Sequence, residues 1–474
     1  METGFKHNLK VEPYPYQLEG IRQGLEWKRL FIGDEPGLGK TLQSIGIVDV
    51  ADAYPCLVIC PSALKINWQR EFEKFTDKKA LVLSDSVRTT WPYLLQMGMQ
   101  NVAICNYESL RKYFVWDIKS EGKEFRLKDV VFCPQIRMFK SIIIDESHRV
   151  KDASTQQAKF TKGIASGKEW IVLLSGTPVV NRPEDLCSQL SIMDRLSEFG
   201  GKARFIAEYG EGDNLSDLSG KLYGTCMIRR EKAKVLTQLP DKTRVNLYVD
   251  ISNTDEYYTA QNDLARYLRE YRMCSEGEIR RKMHMEALVR FMNLRSLAAK
   301  GKVKQAIEFV NDFLETGKQF ILFCSYHEVV DELRKAFPTA VTVTGRDSAL
   351  MKQAAVDAFQ SGQAQLIICS IKAAGVGLTL TASSNVGFVE FPWTYADCCQ
   401  CEDRAHRIGQ KDNVTCYYLL GKGTIDGKLY DLIQQKKSIA NEIMASDDDI
   451  PTDEMYFNEL ADSLLSGLND NDNE

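Results

Sequence analysis

Short runs of consecutive apolar residues alternate with longer stretches of mixed polarity in the first part of the chain. The runs at 56–60, 101–105, 141–145 and 170–176 are rich in Val, Ile and Leu. Such runs predict β-strands buried on both faces, because a half-exposed strand would alternate apolar and polar residues. A helix-like or polar segment follows each run. The pattern therefore predicts a parallel α/β sheet covered by helices.

The middle of the chain breaks this pattern, since residues 183–300 are predicted to be mostly helical and charged. Strand-like runs then resume, at 319–325, 340–345, 365–370, 385–391 and 414–420. We expect two α/β halves joined by a helical, charged middle. A length of 474 residues suits this division, because it allows roughly two to four domains.

The net charge of −5 conceals an uneven distribution. Residues 447–474 carry ten acidic side chains and no Lys or Arg, which leaves 60 basic and 55 acidic residues elsewhere. Within this tail, Leu460, Leu464, Leu465 and Leu468 recur at helical spacing. The tail is interpreted as a flexible solubilising segment, with docking on a basic groove or binding of an unknown protein partner as alternatives.

Neither a membrane span nor a disulfide framework is expected. No apolar run approaches the ~20 residues that cross a bilayer, and the first residues lack a signal-peptide core. Most of the 13 cysteines lie in apolar runs, which favours buried reduced thiols. The cluster of Cys398, Cys399 and Cys401 has no fourth ligand at finger spacing. We expect a soluble, intracellular protein with no membrane partner.

A glycine-rich segment, FIGDEPGLGKT at 31–41, follows a short apolar stretch and precedes a helix-like one. Gly37 and Gly39 permit a tight loop whose backbone N–H groups can surround a phosphate. Lys40 would reach the β- and γ-phosphates of ATP, and Thr41 would offer its hydroxyl to Mg²⁺. The strict pattern has Gly where Asp34 stands, so an ordinary strand-to-helix turn is the alternative.

The run SIIIDESH at 141–148 places an acidic pair at the end of a predicted strand. Asp145 would hold Mg²⁺, which prefers carboxylate oxygens, and Glu146 would polarise the attacking water. An acidic strand-to-loop turn is the alternative. A phosphate loop and a strand-end acidic pair in one chain argue together against that alternative.

A third segment, QCEDRAHRIGQ at 400–410, carries Arg404 and Arg407 three residues apart. If this stretch is helical, the two side chains share a face. Two fixed guanidinium groups suit the charge that spreads in a phosphoryl-transfer transition state. A solvated basic turn is the alternative reading of the same residues.

Together these motifs resemble the Swi/Snf-related ATPases of helicase superfamily two, over about Tyr14 to about Lys437. Further family-like segments lie in the same order, at 14–21, 60–75, 106–110, 173–186, 227–242 and 370–383. SGTPVVNRPEDL and AAGVGLTLTAS are similar to the annealing-helicase branch. Pro36, Ala374 and Thr379 depart from the usual family residues. Because Ala374 and Thr379 lie in the family-like segment 370–383, the efficiency with which that segment couples hydrolysis to movement stays open.

The resemblance implies two RecA-like lobes that bind ATP and Mg²⁺. The first, 1–240, would include a helical protrusion at about 183–226 and a linker at about 227–243. The second, 244–446, would include a protrusion at about 255–304, and the tail 447–474 would follow. The first lobe would supply Gln17 as the adenine-sensing residue. The second would supply Gln400 to the nucleotide and the two arginines to the transition state.

The resemblance also implies contact with the backbone of duplex DNA, which is independent of sequence and sensitive to salt. The candidate DNA-binding or coupling residues are Lys65, Arg149, Lys151, Ser175, Thr177, Lys372, Gly375 and Trp393. An ordinary surface charge is the alternative for each lysine, and a core position is the alternative for Trp393. The protrusion, with eleven basic and seven acidic residues over 255–304, either rests on DNA or is a solvated hairpin.

The expected function is that of a DNA-dependent ATPase that translocates on double-stranded or branched DNA. It would remodel DNA or DNA–protein complexes, with annealing or fork remodelling as a further expectation. A strand-separating helicase on single strands is the first alternative, and a nucleotide-gated binding module is the second. We expect a monomeric motor in a bacterial or host cytoplasm rather than a nucleus.

Overall fold

The computed structural model describes residues 6–119, 125–176, 183–210, 214–236, 238–273, 277–374, 378–392 and 395–431. The chain divides into two compact units, one running to Gln238 and the other beginning at Leu239. Among the helices in these ranges, none combines the length and the apolar character that crossing a bilayer requires. Every cysteine in the described residues is a free thiol, and all but Cys399 are buried.

The first unit is built on a parallel seven-stranded sheet of order β3-β4-β2-β7-β8-β1-β9. Its strands are β1 (Arg29–Ile32), β2 (Cys56–Cys60), β3 (Ala80–Val82), β4 (Val102–Asn106), β7 (Ser141–Asp145), β8 (Trp170–Leu174) and β9 (Met227–Ile228), and a separate antiparallel pair is formed by β5 (Val115–Ile118) and β6 (Val130–Phe132). The central strands β2, β4 and β7 are buried along almost their whole length, as their apolar runs predicted.

Helices flank this sheet. They are α1 (Pro15–Trp27), α2 (Lys40–Val50), α3 (Lys65–Phe75), α4 (Trp91–Gln96), α5 (Leu110–Phe114), α6 (Gln156–Ala165), α7 (Asp185–Ile192), α8 (Gly201–Tyr209), α9 (Leu215–Thr225) and α10 (Lys232–Val235). Because all strands of the sheet are parallel, their carboxyl ends lie along one edge, where α/β proteins usually bind ligands. The glycine-rich loop follows β1, and the acidic pair ends β7, so both belong to this edge.

The second unit contains a parallel six-stranded sheet of order β10-β15-β14-β11-β13-β12. The strands are β10 (Lys242–Val249), β11 (Phe320–Cys324), β12 (Val341–Val343), β13 (Leu366–Ser370), β14 (Asn385–Phe388) and β15 (Val414–Gly421). The helices are α11 (Thr254–Met273), α12 (Gly277–Leu314), α13 (His327–Ala336), α14 (Ala349–Gln360), α15 (Ile371–Ala374) and α16 (Tyr395–Glu402). Two parallel sheets, each flanked by helices, form the two RecA-like lobes that the sequence predicted.

One strand lies in the segment that resembles an inter-lobe linker, and a second strand begins at the end of that segment. β9 pairs with β1, with Phe31 opposite Met227, and forms the edge of the first sheet. β10 pairs with β15 over its whole length and forms the edge of the second sheet. Neither strand was predicted, since β9 is too short for a pattern and β10 is only partly buried. The chain therefore passes from an edge strand of one sheet to an edge strand of the other over residues 229–241.

Candidate nucleotide site

The glycine-rich loop turns sharply between β1 and α2. Gly37 and Gly39 have φ values of 91° and 73°, in the left-handed region that side-chain-bearing residues rarely adopt. A Cβ at Gly39 would also lie 2.3 Å from Nε2 of Gln17. Helix α2 begins at Lys40, so its free N–H groups and the positive end of its dipole lie at the loop. The geometry suits the binding of a phosphate.

Lys40 is held against the loop that precedes it. Its Nζ donates to the carbonyl oxygens of Asp34, at 2.7 Å, and Glu35, at 3.4 Å. Burial lowers the pKa of Lys40, while the carboxylates of Glu146, Asp34 and Asp145 oppose that shift. An ammonium group among acidic groups on the sheet edge is positioned to receive phosphate oxygens.

Gln17 is buried beneath the same loop. Its side-chain oxygen accepts from the backbone N–H of Tyr14 at 3.0 Å, and its Nε2 donates to the carbonyl of Leu38 at 3.1 Å. The hydroxyl of Tyr16 donates to the same carbonyl at 3.0 Å. Helix α1 is thus bonded directly to the loop between the two glycines. The structure brings Gln17 to the phosphate loop, and its role toward adenine stays a prediction.

The acidic pair ends β7 in a fixed geometry. Glu146 has a φ of 51°, a left-handed conformation that is unusual for a residue with a side chain. Its N–H donates to Oδ1 of Asp145 at 3.0 Å, and the indole Nε1 of Trp68 donates to Oδ2 at 2.8 Å. The Tyr107 hydroxyl donates to the Asp145 carbonyl at 2.6 Å. Backbone strain of this kind is often found at functional sites.

Asp145 and Thr41 fit a magnesium ion by their chemistry. Burial, together with the charge of Glu146, raises the pKa of Asp145 to about 7. A buried carboxylate beside a second carboxylate would be stabilised by a hard divalent cation, which prefers oxygen ligands. Thr41 offers a hydroxyl in the first turn of α2. In the described part of the chain, no three His, Cys, Asp or Glu side chains converge as a metal cluster.

His148 connects the acidic pair to the next strand. Its Nδ1 lies 3.3 Å from Oε2 of Glu146 and 3.2 Å from Oγ of Ser175. Ser175 is buried immediately after β8, and a Cβ on the following Gly176 would lie 2.9 Å from the Pro36 ring. Ser175 therefore contacts the histidine that pairs with Glu146. Of the two roles predicted for Ser175, this position favours coupling over contact with DNA.

Arg404 and Arg407 would share a helix face only if their stretch were helical, and the structure shows that it is not. Helix α16 ends at Glu402, and both arginines follow it in a turn. The Arg404 carbonyl accepts from the N–H of Leu380 at 2.8 Å, and Arg407 Nη1 donates to the Leu378 carbonyl at 3.2 Å. The turn is thus held by the segment before β14. Gln400 lies in α16 and is partly buried.

A buried acid fixes the start of this arginine turn (residues 402–410). Glu402 accepts from Arg244 through both oxygens, at 2.6 and 2.7 Å, and pairs with Lys242 at 2.8 Å. The Tyr418 hydroxyl also donates to it at 2.6 Å. Burial alone would raise the pKa of Glu402, but the charges of Lys242 and Arg244 outweigh burial and lower it to about 2.

The candidate DNA contacts are spread over both units. Arg149 lies 3.4 Å from Glu108, with its guanidinium over the Tyr107 ring, and Lys151 pairs with Asp185 at 3.3 Å. Lys65 begins α3 and is partly buried, whereas Lys372 in α15 is exposed. Thr177, Gly375, Trp393 and the tail 447–474 lie outside the described residues.

A buried ion pair beneath the loop was not predicted from the sequence. Arg230 binds Asp34 through Nε to Oδ1 at 3.0 Å and Nη2 to Oδ2 at 2.9 Å. Gln43 donates to the same carboxylate at 2.9 Å and accepts from Arg230 at 2.6 Å. Asp34 is fully buried, and its ion pair with Arg230 gives a structural role to the acid that stands where the strict pattern has glycine. The only signal in the sequence was the exception to the pattern itself.

Two family models match adjoining parts of the chain. The SNF2-related domain matches residues 16–302, and the helicase conserved C-terminal domain matches residues 301–409. A SWI/SNF-related matrix-associated actin-dependent regulator of chromatin subfamily A-like protein 1 homolog from Caenorhabditis elegans is 30% identical, over 97% of this chain and 66% of that protein. The human DNA annealing helicase and endonuclease ZRANB3 is 28% identical, over 91% of this chain and 40% of that protein.

The chain is also similar to a solved structure. A Sulfolobus solfataricus SWI2/SNF2 ATPase core in complex with dsDNA is 23% identical, with a TM-score of 0.43, and the match covers 96% of this chain and 99% of that chain. The resemblance drawn from the motifs, including its annealing-helicase branch, is confirmed by the curated relatives. This chain spans 66% or less of the length of those two relatives.

Proposed function

The chain belongs to the SNF2-related ATPase family, and from that premise we propose that it is a DNA-dependent ATPase that translocates on double-stranded DNA. It would use this movement to remodel DNA or DNA–protein complexes, including the annealing or remodelling of forked DNA. The observation that carries the ATPase half of the proposal is that Lys40, at the phosphate loop, shares one sheet edge with the contacts linking Asp145, Glu146 and His148.

The chemistry of hydrolysis is assigned to residues of this chain. Lys40 binds the terminal phosphates, and the N–H groups at the start of α2 orient them. Glu146 orients and polarises the attacking water, and His148 holds the Glu146 carboxylate toward Ser175. Mg²⁺, held by Thr41 and Asp145 when bound, would neutralise charge on the phosphate oxygens. Arg404 and Arg407 supply positive charge to the transferring phosphoryl group.

The DNA half of the proposal draws on family membership and on basic side chains. Exposed Lys372 is suited to contact a phosphate, because an ion pair with DNA releases counterions without reading sequence. Arg149 and Lys151 follow the acidic pair within a few residues. A DNA contact at either residue would therefore affect the position of the acidic pair at the ATP site. One copy of the chain carries every residue assigned here, so a monomer is proposed as the active form.

Steady-state ATP hydrolysis tests this proposal directly. It is measured without nucleic acid and with duplex DNA, forked DNA, single-stranded DNA and RNA, at two salt concentrations. Lys40→Ala serves as the blank, and Lys335→Ala, at an exposed position on α13, is the matched control. Stimulation by duplex or forked DNA that weakens with salt is the expected result. Stimulation by single strands or RNA alone would instead support the strand-separating helicase.

A further inference from the structure

The segment that connects the two sheets, residues 226–244, is fastened to functional loops at both of its ends. At its beginning it runs beside the phosphate loop. The N–H groups of Phe31, Gly33 and Glu35 donate to the carbonyls of Cys226, Ile228 and Arg230 at 2.7, 2.7 and 3.0 Å. The two segments therefore lie side by side from the end of β1 into the loop itself.

Side chains strengthen this first attachment. Arg230 holds the Asp34 carboxylate with two hydrogen bonds, donates to the carbonyl of Tyr16, and lies over the Tyr16 ring. The N–H of Lys232 donates to Oε2 of Glu35 at 2.7 Å. A bidentate, buried arginine–carboxylate pair fixes both distance and orientation. Asp34 and Glu35 are thereby held by the connecting segment.

The same two loop residues hold the catalytic lysine. Lys40 Nζ donates to the carbonyl oxygens of Asp34 and Glu35. One continuous set of contacts therefore leads from Arg230 and Lys232, through Asp34 and Glu35, to the ammonium group that is assigned to ATP phosphates. A displacement of the connecting segment would be transmitted to Lys40 over these short contacts.

The other end of the connecting segment is fastened to the arginine turn. Nε2 of His406 lies 2.7 Å from the carbonyl oxygen of Pro240. Lys242 pairs with Glu402 at 2.8 Å and with Asp403 at 3.5 Å, and Arg244 binds Glu402 through both oxygens. Glu402 and Asp403 directly precede Arg404. The position of the turn therefore depends on where residues 240–244 lie.

We propose that residues 226–244 transmit the state of the phosphate loop to the arginine turn, with Arg230 and Arg244 as positioning residues at the two ends. Only residues 233–239 separate the two attachments, so the connection is short. Neither arginine is assigned to touch ATP. The inference rests on the proposed function, because transmission has a purpose only if the enzyme couples hydrolysis to movement.

The first attachment is tested by nucleotide binding without DNA. A fluorescent ATP analogue with Mg²⁺ is titrated into the full chain, into Arg230→Lys, and into Gly20→Ala. A Cβ at Gly20 would lie 2.7 Å from Arg230 Nη2 and 2.1 Å from Gln43 Oε1, so this variant displaces the arginine without removing a buried charge. Lys234→Gln, which loses only an exposed pair with Glu231, is the control.

Both test variants should bind the analogue about 5- to 150-fold more weakly, the usual span of coupling between sites, and the control should bind like wild type. Thermal melting shows whether each variant is folded. Alanine suits the middle of helix α1, so Gly20→Ala keeps the test valid if Arg230→Lys does not fold. Unchanged affinity in a folded Gly20→Ala protein would overturn this half of the proposal.

The transmission itself is tested by lengthening the segment. A flexible Gly-Ser insert of about six residues after Leu236 leaves both attachments intact. Arg244→Lys weakens only the second attachment. Nucleotide binding should be retained in both, while DNA-stimulated kcat falls at least about tenfold. An unchanged DNA-stimulated kcat in the insertion variant would overturn the proposal. If duplex DNA does not stimulate wild type, the proposed function fails, and the binding experiment still decides the first attachment.

Discussion

The indole Nε1 of Trp68 donates a hydrogen bond of 2.8 Å to Oδ2 of Asp145. Trp68 lies in α3 and is buried, whereas Asp145 ends β7. The second carboxylate oxygen of Asp145 accepts from the N–H of Glu146. The carboxylate is therefore oriented by two donors of the protein. Such donors hold a metal-binding carboxylate in place and tune its affinity.

Replacing Trp68 with Phe should weaken the binding of Mg²⁺ that supports ATP hydrolysis. The Phe ring should retain most of the packing of the Trp68 side chain. The indole donor is lost, and the N–H of Glu146 alone then orients the Asp145 carboxylate. Loss of such a supporting hydrogen bond typically costs about 10–100-fold in metal affinity or activity. We expect the Mg²⁺ concentration for half-maximal ATP hydrolysis to rise by that factor.

The control for this measurement is Trp91→Phe in the same unit. Trp91 is also buried, and its ring stacks on Phe139 in the aromatic core. It therefore tests the loss of an indole without the contact to Asp145. An equal shift in Mg²⁺ dependence for both variants would show that reduced packing, rather than the hydrogen bond, is responsible.

Replacing Glu146 with Gln should stop turnover without preventing nucleotide binding. The amide keeps the size of the side chain but cannot polarise water as a carboxylate does. Loss of general-base assistance typically costs about 10²–10⁴-fold in rate. Single-turnover hydrolysis and analogue binding are measured together, with Glu332→Gln, at an exposed position on α13, as the control. Full hydrolysis in the Gln variant would assign the water-activating role to another residue.

The strands that carry this site were predictable, because parallel strands buried on both faces are apolar at consecutive positions. β2, β7 and β13 show this directly in the sequence. β10 escaped prediction, since this edge strand carries Lys242 and Arg244 among its apolar residues. These two charged side chains pair with Glu402, which lies far along the chain. No local pattern could therefore indicate that β10 is a strand or that Glu402 is its partner.

The hydrogen bonds that orient the acidic side chains of the site were not predictable, because their donors lie far away along the chain. A motif predicts that Asp34 and Asp145 belong to an ATP site, but it does not identify their donors. Arg230 and Asp34 are 196 positions apart, and Trp68 and Asp145 are 77 apart. A buried carboxylate requires a partner on physical grounds. Which of the many basic or aromatic residues fills that role is decided by the fold.

Stability of the second unit toward acid should depend on Glu402. Its pKa is lowered from 4.5 to about 2 in the folded protein. A lowered pKa contributes stability that is present above about pH 4.5 and is lost as the pH falls toward about 2. The pKa difference corresponds to about 3 kcal/mol. Wild-type protection of β15 against hydrogen exchange should therefore decline over this range.

Glu402→Gln should lower this protection already at neutral pH and flatten its decline in acid. The substitution removes the titrating group and leaves Lys242 and Arg244 without their carboxylate. Exchange rates are corrected for their intrinsic dependence on pH. Glu332→Gln is again the control. A variant that keeps the wild-type slope between about pH 4.5 and 2 would place the acid sensitivity in another group.

The stability of the second unit should also depend on a second buried charge pair, between Lys302 and Asp426. The side chain of Lys302 in α12 is fully buried, pairs with Asp426 at 2.6 Å, and donates to the carbonyls of Leu419 and Val389. Lys302→Met leaves the buried Asp426 charge without its cation. Breaking such a pair from one side typically destabilises a protein by about 3–5 kcal/mol. We expect that loss in the free energy of unfolding measured with urea.

The double variant Lys302→Met with Asp426→Asn should recover at least half of the loss. It removes both charges, and the Asn side-chain oxygen can still accept the hydrogen bond that Asp426 receives from the N–H of Gly421. Lys300→Met, on the same helix but partly exposed and paired with Glu328, should change stability by less than about 0.5 kcal/mol. If Lys302→Met costs no more than Lys300→Met, the pair contributes nothing net to the fold. If the double variant recovers nothing, the loss comes instead from the unsatisfied carbonyls of Leu419 and Val389.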